Sequence, residues 1–313
     1  MVRSRMIEFF SQVKSRLLGK TRLPARAKMQ TWAIGIYTGD SPYSVCPSNG
    51  IDNPVLTGAS VSDVSGLYVA DPFMIRKSGK WHMFFEVLNS QSGKGEIGLA
   101  SSEDTHQWHY QQIVLRESFH LSYPYVFEWN NEYYMVPESY QVNSVRIYKA
   151  TDFPLKWAYL GDLLVGDVFE DSSLFRFKQR WWLLTDLAKP PYWAGTLRLF
   201  FASDLLGPWI EHPSSPIVDG DPHIARPAGR VVVLNDKVIR FTQDCCPIYG
   251  TQVRAFEFTE LTPTAFHEQA VSGPPVLQGS GKGWNESGMH HIDPHLLDNG
   301  KWMACVDGWY WKS

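Results

Sequence analysis

Asp71 stands before the apolar run PFMI, and Glu86 closes the aromatic run WHMFFE, so a carboxylate marks each end of VADPFMIRKSGKWHMFFE. The arrangement recurs. Tyr123 and Glu138 flank SYPYVFEWNNEYYMVPE, and Asp171 and Asp186 flank EDSSLFRFKQRWWLLTD. Arg226 and Asp244 sit likewise in ARPAGRVVVLNDKVIRFTQD, and Asp293 and Asp307 in HIDPHLLDNGKWMACVD. Two carboxyl groups held a few ångströms apart suit glycosidic chemistry, where one protonates a leaving oxygen and the other acts as base or nucleophile. Asp71, Asp171 and Glu138 are the candidate catalytic carboxylates. Glu86, Tyr123, Asp244, His291 and Asp293 are candidate substrate contacts. Arg226 suits an anionic part of the substrate such as a phosphate, carboxylate or sulfate. Tyr249 and Trp284 offer ring faces on which a sugar can stack.

Each stretch reads as a polar residue, an apolar strand, a Gly/Asn/Lys turn, an aromatic strand and an acidic residue. Most repeats have a second half with an apolar strand, Ser/Thr-Asp and Trp: GEIGLASSEDTHQW, SVRIYKATDFPLKW and GTLRLFFASDLLGPW, with GTQVRAFEFTELTP a looser copy. Units of roughly fifty residues with four short strands predict an all-β fold of propeller blades, five in number. The last hairpin, residues 292–311, lacks outer strands. WAIGIYTGDSPYS and NPVLTG near the start are expected to supply them and so close the ring without an open sheet edge. In a hairpin the start of one strand lies beside the end of the next. If the first strand of each blade lines the channel, all five polar pairs gather at one mouth. Clustered carboxylates repel one another, so five such pairs read as a polar site, whereas any single pair reads rather as strand-end punctuation.

The repeat accounts for residues 29–313 as one propeller, and residues 1–28 differ in kind. They hold eight Lys/Arg against Glu8, a net +7, which leaves −10 of the chain's −3 for the remainder. Ile7, Phe10, Val13, Leu17 and Leu18 fall on one helical face. Such a segment is expected either to lie on an anionic membrane surface or to be a tail, docked on the propeller or disordered. No run of eighteen apolar residues is present. Four cysteines, two of them adjacent, point to a reducing cytoplasm rather than a disulfide framework. The expected location is cytoplasmic, peripheral to the inner face of the membrane. The acidic body argues against nucleic acid. Asp219-Gly220-Asp221 is a metal-binding type of pattern without a βαβ context, and in the HHIDPH group (His290, His291, His295, Asp293) His291 and Asp293 suit channel-lining substrate contacts as well as a metal, so no metal or cofactor is expected.

The motifs resemble two families. Asp71-Pro72 is similar to the base or nucleophile of five-bladed glycosidases of families 43 and 32. Their second Asp-Pro falls at Tyr123-Pro124. Their third-blade Glu falls at Asp171, with Glu170 one residue off register and so turned to the other strand face. VADPF, MFFE, LSYPYVFE, MVPES, LGPW, RP, QDC and YG, over about residues 30–270, more closely resemble the N-terminal propeller domain of plant glucosamine inositolphosphorylceramide transferases and bacterial relatives. In the plant proteins an exostosin-like transferase domain follows, for which this chain leaves no room. The resemblance implies a carbohydrate-related fold and polar site, without by itself carrying over transferase activity. The expected function is a carbohydrate-active enzyme working on a glycoside or glycan precursor, lipid-linked or nucleotide-activated, by transfer or hydrolysis. The alternative is a non-catalytic glycan-binding propeller that assists a separate glycosyltransferase.

Overall fold

The structure is a computed structural model that describes residues 29–187 and 195–312. The basic segment 1–28, with its expected helix, lies outside the described residues. The described chain forms five antiparallel sheets arranged as the blades of a propeller. Blade 1 spans residues 66–115, blade 2 residues 122–165, blade 3 residues 169–219 and blade 4 residues 232–278. Blade 5 joins Ile292–Leu296 and Trp302–Lys312 to Met29–Ser41 and Ser44–Pro47 from the other end of the chain.

The inner hairpins form where the sequence places turn residues. Ser78-Gly79, Asn130-Asn131, Lys178-Gln179 and Asn235-Asp236 each hold two consecutive positive φ angles. Two-residue turns of that hand match the right-handed strand twist and favour Gly, Asn and Asp. Between the blades the apolar strand faces interlock. Phe84, Leu99, Tyr123, Val126 and Met135 pack across blades 1 and 2, and Trp182, Leu184, Leu199 and Phe258 across blades 3 and 4. Burial of each such side chain contributes about 1.5–3 kcal/mol.

Blade 5 closes the ring as the repeat predicts, with Met29 opposite Lys312 and Gly39 opposite Trp302. Its outermost strand is Ser44–Pro47, not NPVLTG. Pro42-Tyr43 turns the chain back at once, so the edge is covered before NPVLTG is reached. That segment instead buries Leu56 beside Ile34.

The propeller axis is filled rather than open. The Tyr123 hydroxyl accepts the Gly229 N–H at 2.6 Å and lies 3.0 Å from Gly229 O and 2.8 Å from Ser173 Oγ. A Cβ on Gly229 would lie 1.8 Å from Ile292 O, at a backbone φ of 122°, so only glycine fits there. Arg230 bonds Asp293 at 2.5 Å and the Met74 and Val126 carbonyls at 3.2 and 3.0 Å.

Candidate active site

The mouth is built on three matching irregularities. The ladder slips between Ala70 and Phe73, between Ser122 and Tyr125, and between Glu170 and Ser173. Within each slip one residue is left-handed: Asp71 at φ 53°, Tyr123 at 46° and Asp171 at 47°. A bulge of this kind removes a backbone N–H from its ladder, and a buried N–H needs a partner. Carboxylates supply it. Asp71 N donates to Asp307 at 2.9 Å, Tyr123 N to Asp71 at 3.3 Å, and Asp171 N to Glu138 at 2.9 Å. Each acceptor comes from the blade before, so part of the carboxylate ring holds neighbouring blades in register.

Arg226 is the hub of the ring. Its guanidinium donates to Asp171 at 2.5 Å, Glu170 at 2.7 Å and Glu138 at 3.4 Å. Gln243 adds a bond to Asp171 at 2.7 Å. Alternation would turn Glu170 away from Asp171, but the bulge brings both onto one guanidinium. Burial pushes Glu170 up to about 7 and Asp186 up to about 8. It raises Glu86 and Glu138 well above the ordinary carboxylate range.

Beside this hub lies a second chain of groups. His290 Nδ1 is 2.7 Å from Asp307 Oδ1, and its Nε2 is 3.6 Å from Asp71 Oδ1. Burial opposes both charges, but their mutual attraction and hydrogen bond hold Asp307 below and His290 above their ordinary values. Burial carries Asp71 up to about 7, with the like charges of Asp171 and Asp307 adding to it and His290 opposing. Asp71 Oδ1 is buried without a hydrogen-bond partner, as are both ring nitrogens of His291, whose Nδ1 is also 3.6 Å away. Burial lowers His291 to about 4. Glu86 Oε1 faces His120 Nε2 at 3.4 Å, and His120 Nδ1 accepts the Gly95 N–H at 2.9 Å, so the proton of that ring is on Nε2.

Aromatic rings cover these groups. Trp32 stacks on His290 with centroids 4.1 Å apart, and Tyr249 stands edge-on to it at 5.1 Å. Arg226 lies over the Tyr249 ring at 5.3 Å. Tyr68 and Tyr140, partly exposed, lie near Glu86. The carboxylates beneath are at most 9% exposed. The mouth is therefore a covered polar cluster, not the open funnel that the strand pattern suggests.

The structure brings Asp71, Glu86, Glu138, Asp171, Arg226, Tyr249 and His291 to this end of the axis, and it redirects other residues. Asp293 is opposite Cys305, not Asp307, and its carboxylate is spent on Arg230, His295 and Met74 N. No bulge interrupts that hairpin, so Asp293 continues down the strand into the axis. Arg226 does not reach Asp244, and with three carboxylates on its guanidinium it is not placed to bind an anion. Tyr123 turns its hydroxyl into the axis as a plug, not towards a ligand. Trp284 lies over Gly35 and Gly308 of blade 5, where the missing side chains leave room for an indole. The HHIDPH histidines separate, with His295 on Asp293 and His290 on Asp307.

Asp71, His290 and Asp307 offer metal-ligand atoms within 4.8 Å of one another. Both Asp307 oxygens are already engaged, by His290 and by Asp71 N. The alternation argument ranked Glu170 below Asp171, and the repeat passed over Arg230 and His290. The His-His doublet ahead of the last inner strand was the available signal for His290.

Residues 26–309 match the family model described as "Glucosamine inositolphosphorylceramide transferase 1, N-terminal". The chain is 35% identical over 297 residues to the Oryza sativa subsp. japonica protein of that name and 33% identical over 302 residues to the Arabidopsis thaliana one. Each match covers 89% of this chain and 40% and 39% of the relatives. The chain thus spans about two fifths of the length of the curated relatives it matches. Among solved structures, a family 117 glycoside hydrolase of Zobellia galactanivorans superposes with a TM-score of 0.55 at 14% identity, covering 89% of this chain and 90% of that one. An exo-β-1,3-galactanase of Clostridium thermocellum does so with 0.55 at 13%, covering 68% and 51%. These structures share the fold, and the family model and the plant sequences carry the kinship: the chain belongs to the glucosamine inositolphosphorylceramide transferase 1 N-terminal family.

Proposed function

We propose that the covered mouth is a sugar site and that Asp71 is the group that exchanges a proton with the bound sugar or attacks it. Family membership and a propeller fold shared with glycoside hydrolases support a carbohydrate-related function. One observation carries the assignment to Asp71. Its Oδ1 is buried and unpartnered, its pKa is carried up to about 7, and His290 stands 3.6 Å behind it, backed by Asp307. A carboxyl group that titrates near neutral pH beside one held ionised is the division of roles that acid–base chemistry on a glycoside requires. His290 faces Asp71 as a nearby charge, which Asp307 balances. The substrate is then a glycoside or a glycan precursor.

A second reading has its own observation. Asp171, Glu138 and Glu170 are bound to Arg226, so the other carboxylate of a glycosidase pair is not free, and the propeller would bind a glycan for a separate transferase. A screen of sugar nucleotides, aryl glycosides and free glycans against wild type and Asp71→Asn separates the two. Turnover lost in the variant supports catalysis. Binding without turnover, retained in the variant, supports the module. Neither turnover nor binding overturns the sugar site.

A further inference from the structure

Asp244 closes the second strand of blade 4 and is almost fully buried. Its Oδ1 lies 2.7 Å from His223 Nδ1 and accepts the Cys246 N–H at 3.1 Å. Its Oδ2 accepts Gln252 Nε2 at 2.8 Å, with Arg254 at 3.5 Å, and its backbone carbonyl accepts the Thr251 N–H at 3.1 Å. Two pieces of the rim therefore hang on one carboxylate. The first is the turn between Cys245 and Thr251, which carries Tyr249. The second is His223, whose side chain is 53% exposed although the acid holding it is 3% exposed. Cys245 N donates to Pro222 O at 3.0 Å and His223 N to Asp221 at 2.9 Å, which fixes the histidine's own loop to the same place.

With a carboxylate acceptor at Nδ1, the neutral ring keeps its proton there, and Nε2 becomes a hydrogen-bond acceptor. His223 meets the buried acid with one ring edge only, and its half-exposed side chain leaves the other edge open to solvent. Orientation matters for a ligand that arrives from outside. Three residues further along the chain Arg226 enters the mouth, where it lies over the Tyr249 ring.

We propose that the blade 4 rim is a sugar subsite, in which His223 Nε2 accepts a sugar hydroxyl, Tyr249 offers a ring face, and Asp244 positions both. The subsite rests on the sugar reading of the mouth, which it extends outwards to a second ring of a longer glycan. Asp244, Asp221, Arg254 and Arg226 are the charged groups around it, and Asp244 is the one bonded to the imidazole.

The test uses the full chain and the oligosaccharides and methyl glycosides that bind wild type. Long-range proton–nitrogen spectra of the histidine rings report the tautomer, and calorimetry reports affinity. The expected spectrum shows neutral His223 protonated at Nδ1, and sugar moves its Nε2 signal saturably. His223→Gln should bind oligosaccharide about tenfold more weakly, the loss of one hydrogen bond, with an unchanged melting temperature and unchanged monosaccharide affinity. Asp244→Asn should give the same loss and scramble the tautomer. His223 lies on the surface, so its variant remains informative if Asp244→Asn does not fold. Equal oligosaccharide affinity in wild type and His223→Gln overturns the subsite and leaves the mouth standing. No sugar binding by wild type overturns both.

Discussion

Replacing Arg226 with methionine keeps most of the side-chain volume and removes the guanidinium that three buried carboxylates share at 2.5, 2.7 and 3.4 Å. Taking one partner from a buried ion pair costs roughly 3–5 kcal/mol, because the remaining charge is left uncompensated. The carboxyl groups can avoid that state by taking up protons, so the cost depends on pH. Burial already holds Glu170 at about 7 and Glu138 well above its ordinary value, and Arg226 is the charge that pulls both down. Without it both rise further. A carboxyl whose folded pKa exceeds its unfolded one binds more protons when folded, so stability is lost as pH rises between the two values. Wild type should show this loss between about pH 4 and 8, through Glu170 and Asp71 at about 7 and Asp186 at about 8. Asp307, held low by His290, has the opposite sign and matters only below its unfolded range. For Arg226→Met, urea denaturation should give a loss of about 3–5 kcal/mol at pH 8 and less than about half of that at pH 5. Equal losses at the two pH values, or a loss under about 1 kcal/mol at pH 8, would refute the charge hub.

Tyr123→Phe removes the hydroxyl that serves Gly229 and Ser173 in the axis and should cost about 1–3 kcal/mol in urea denaturation; a neutral change would mean that the plug contributes nothing. Gly95→Ala places a Cβ 2.2 Å from Leu121 O and 2.8 Å from Glu86 Oε1, so a loss of at least about 1–3 kcal/mol is expected, and a stable variant with unaltered sugar binding would contradict the packing around Glu86. Residues 1–28 are proposed to hold the protein on anionic lipid, each basic residue adding on the order of 1 kcal/mol near the surface. In vesicle sedimentation at low salt the full chain should pellet and a chain starting at Met29 should not; equal pelleting would refute the anchor.

The architecture was legible because the turns and aromatic strands repeat. The joining of Trp32–Tyr37 to Ile292–Val306 followed from an incomplete last blade and the need to close the ring. The site was harder to read, because strand alternation assumes an unbroken ladder. Three bulges break it, which brings Glu170, the weaker candidate by alternation, onto Arg226. The absence of a bulge in the last hairpin carried Asp293 away from Asp307 and into the axis. Arg226 is one cation among 29 in the sequence, and nothing in its spacing tells whether its charge is used by a ligand or by three neighbouring acids. Only the folded arrangement shows that.

The most direct test of the sugar site is a titration of Asp71 itself. Carbon NMR of aspartate-labelled protein, with Asp71→Asn to assign the carboxyl resonance, should give a midpoint near pH 7, and a sugar that binds the mouth should displace that midpoint. A midpoint near the ordinary aspartate value of about 4, or one that bound sugar leaves unmoved, would contradict the assignment of proton exchange to Asp71.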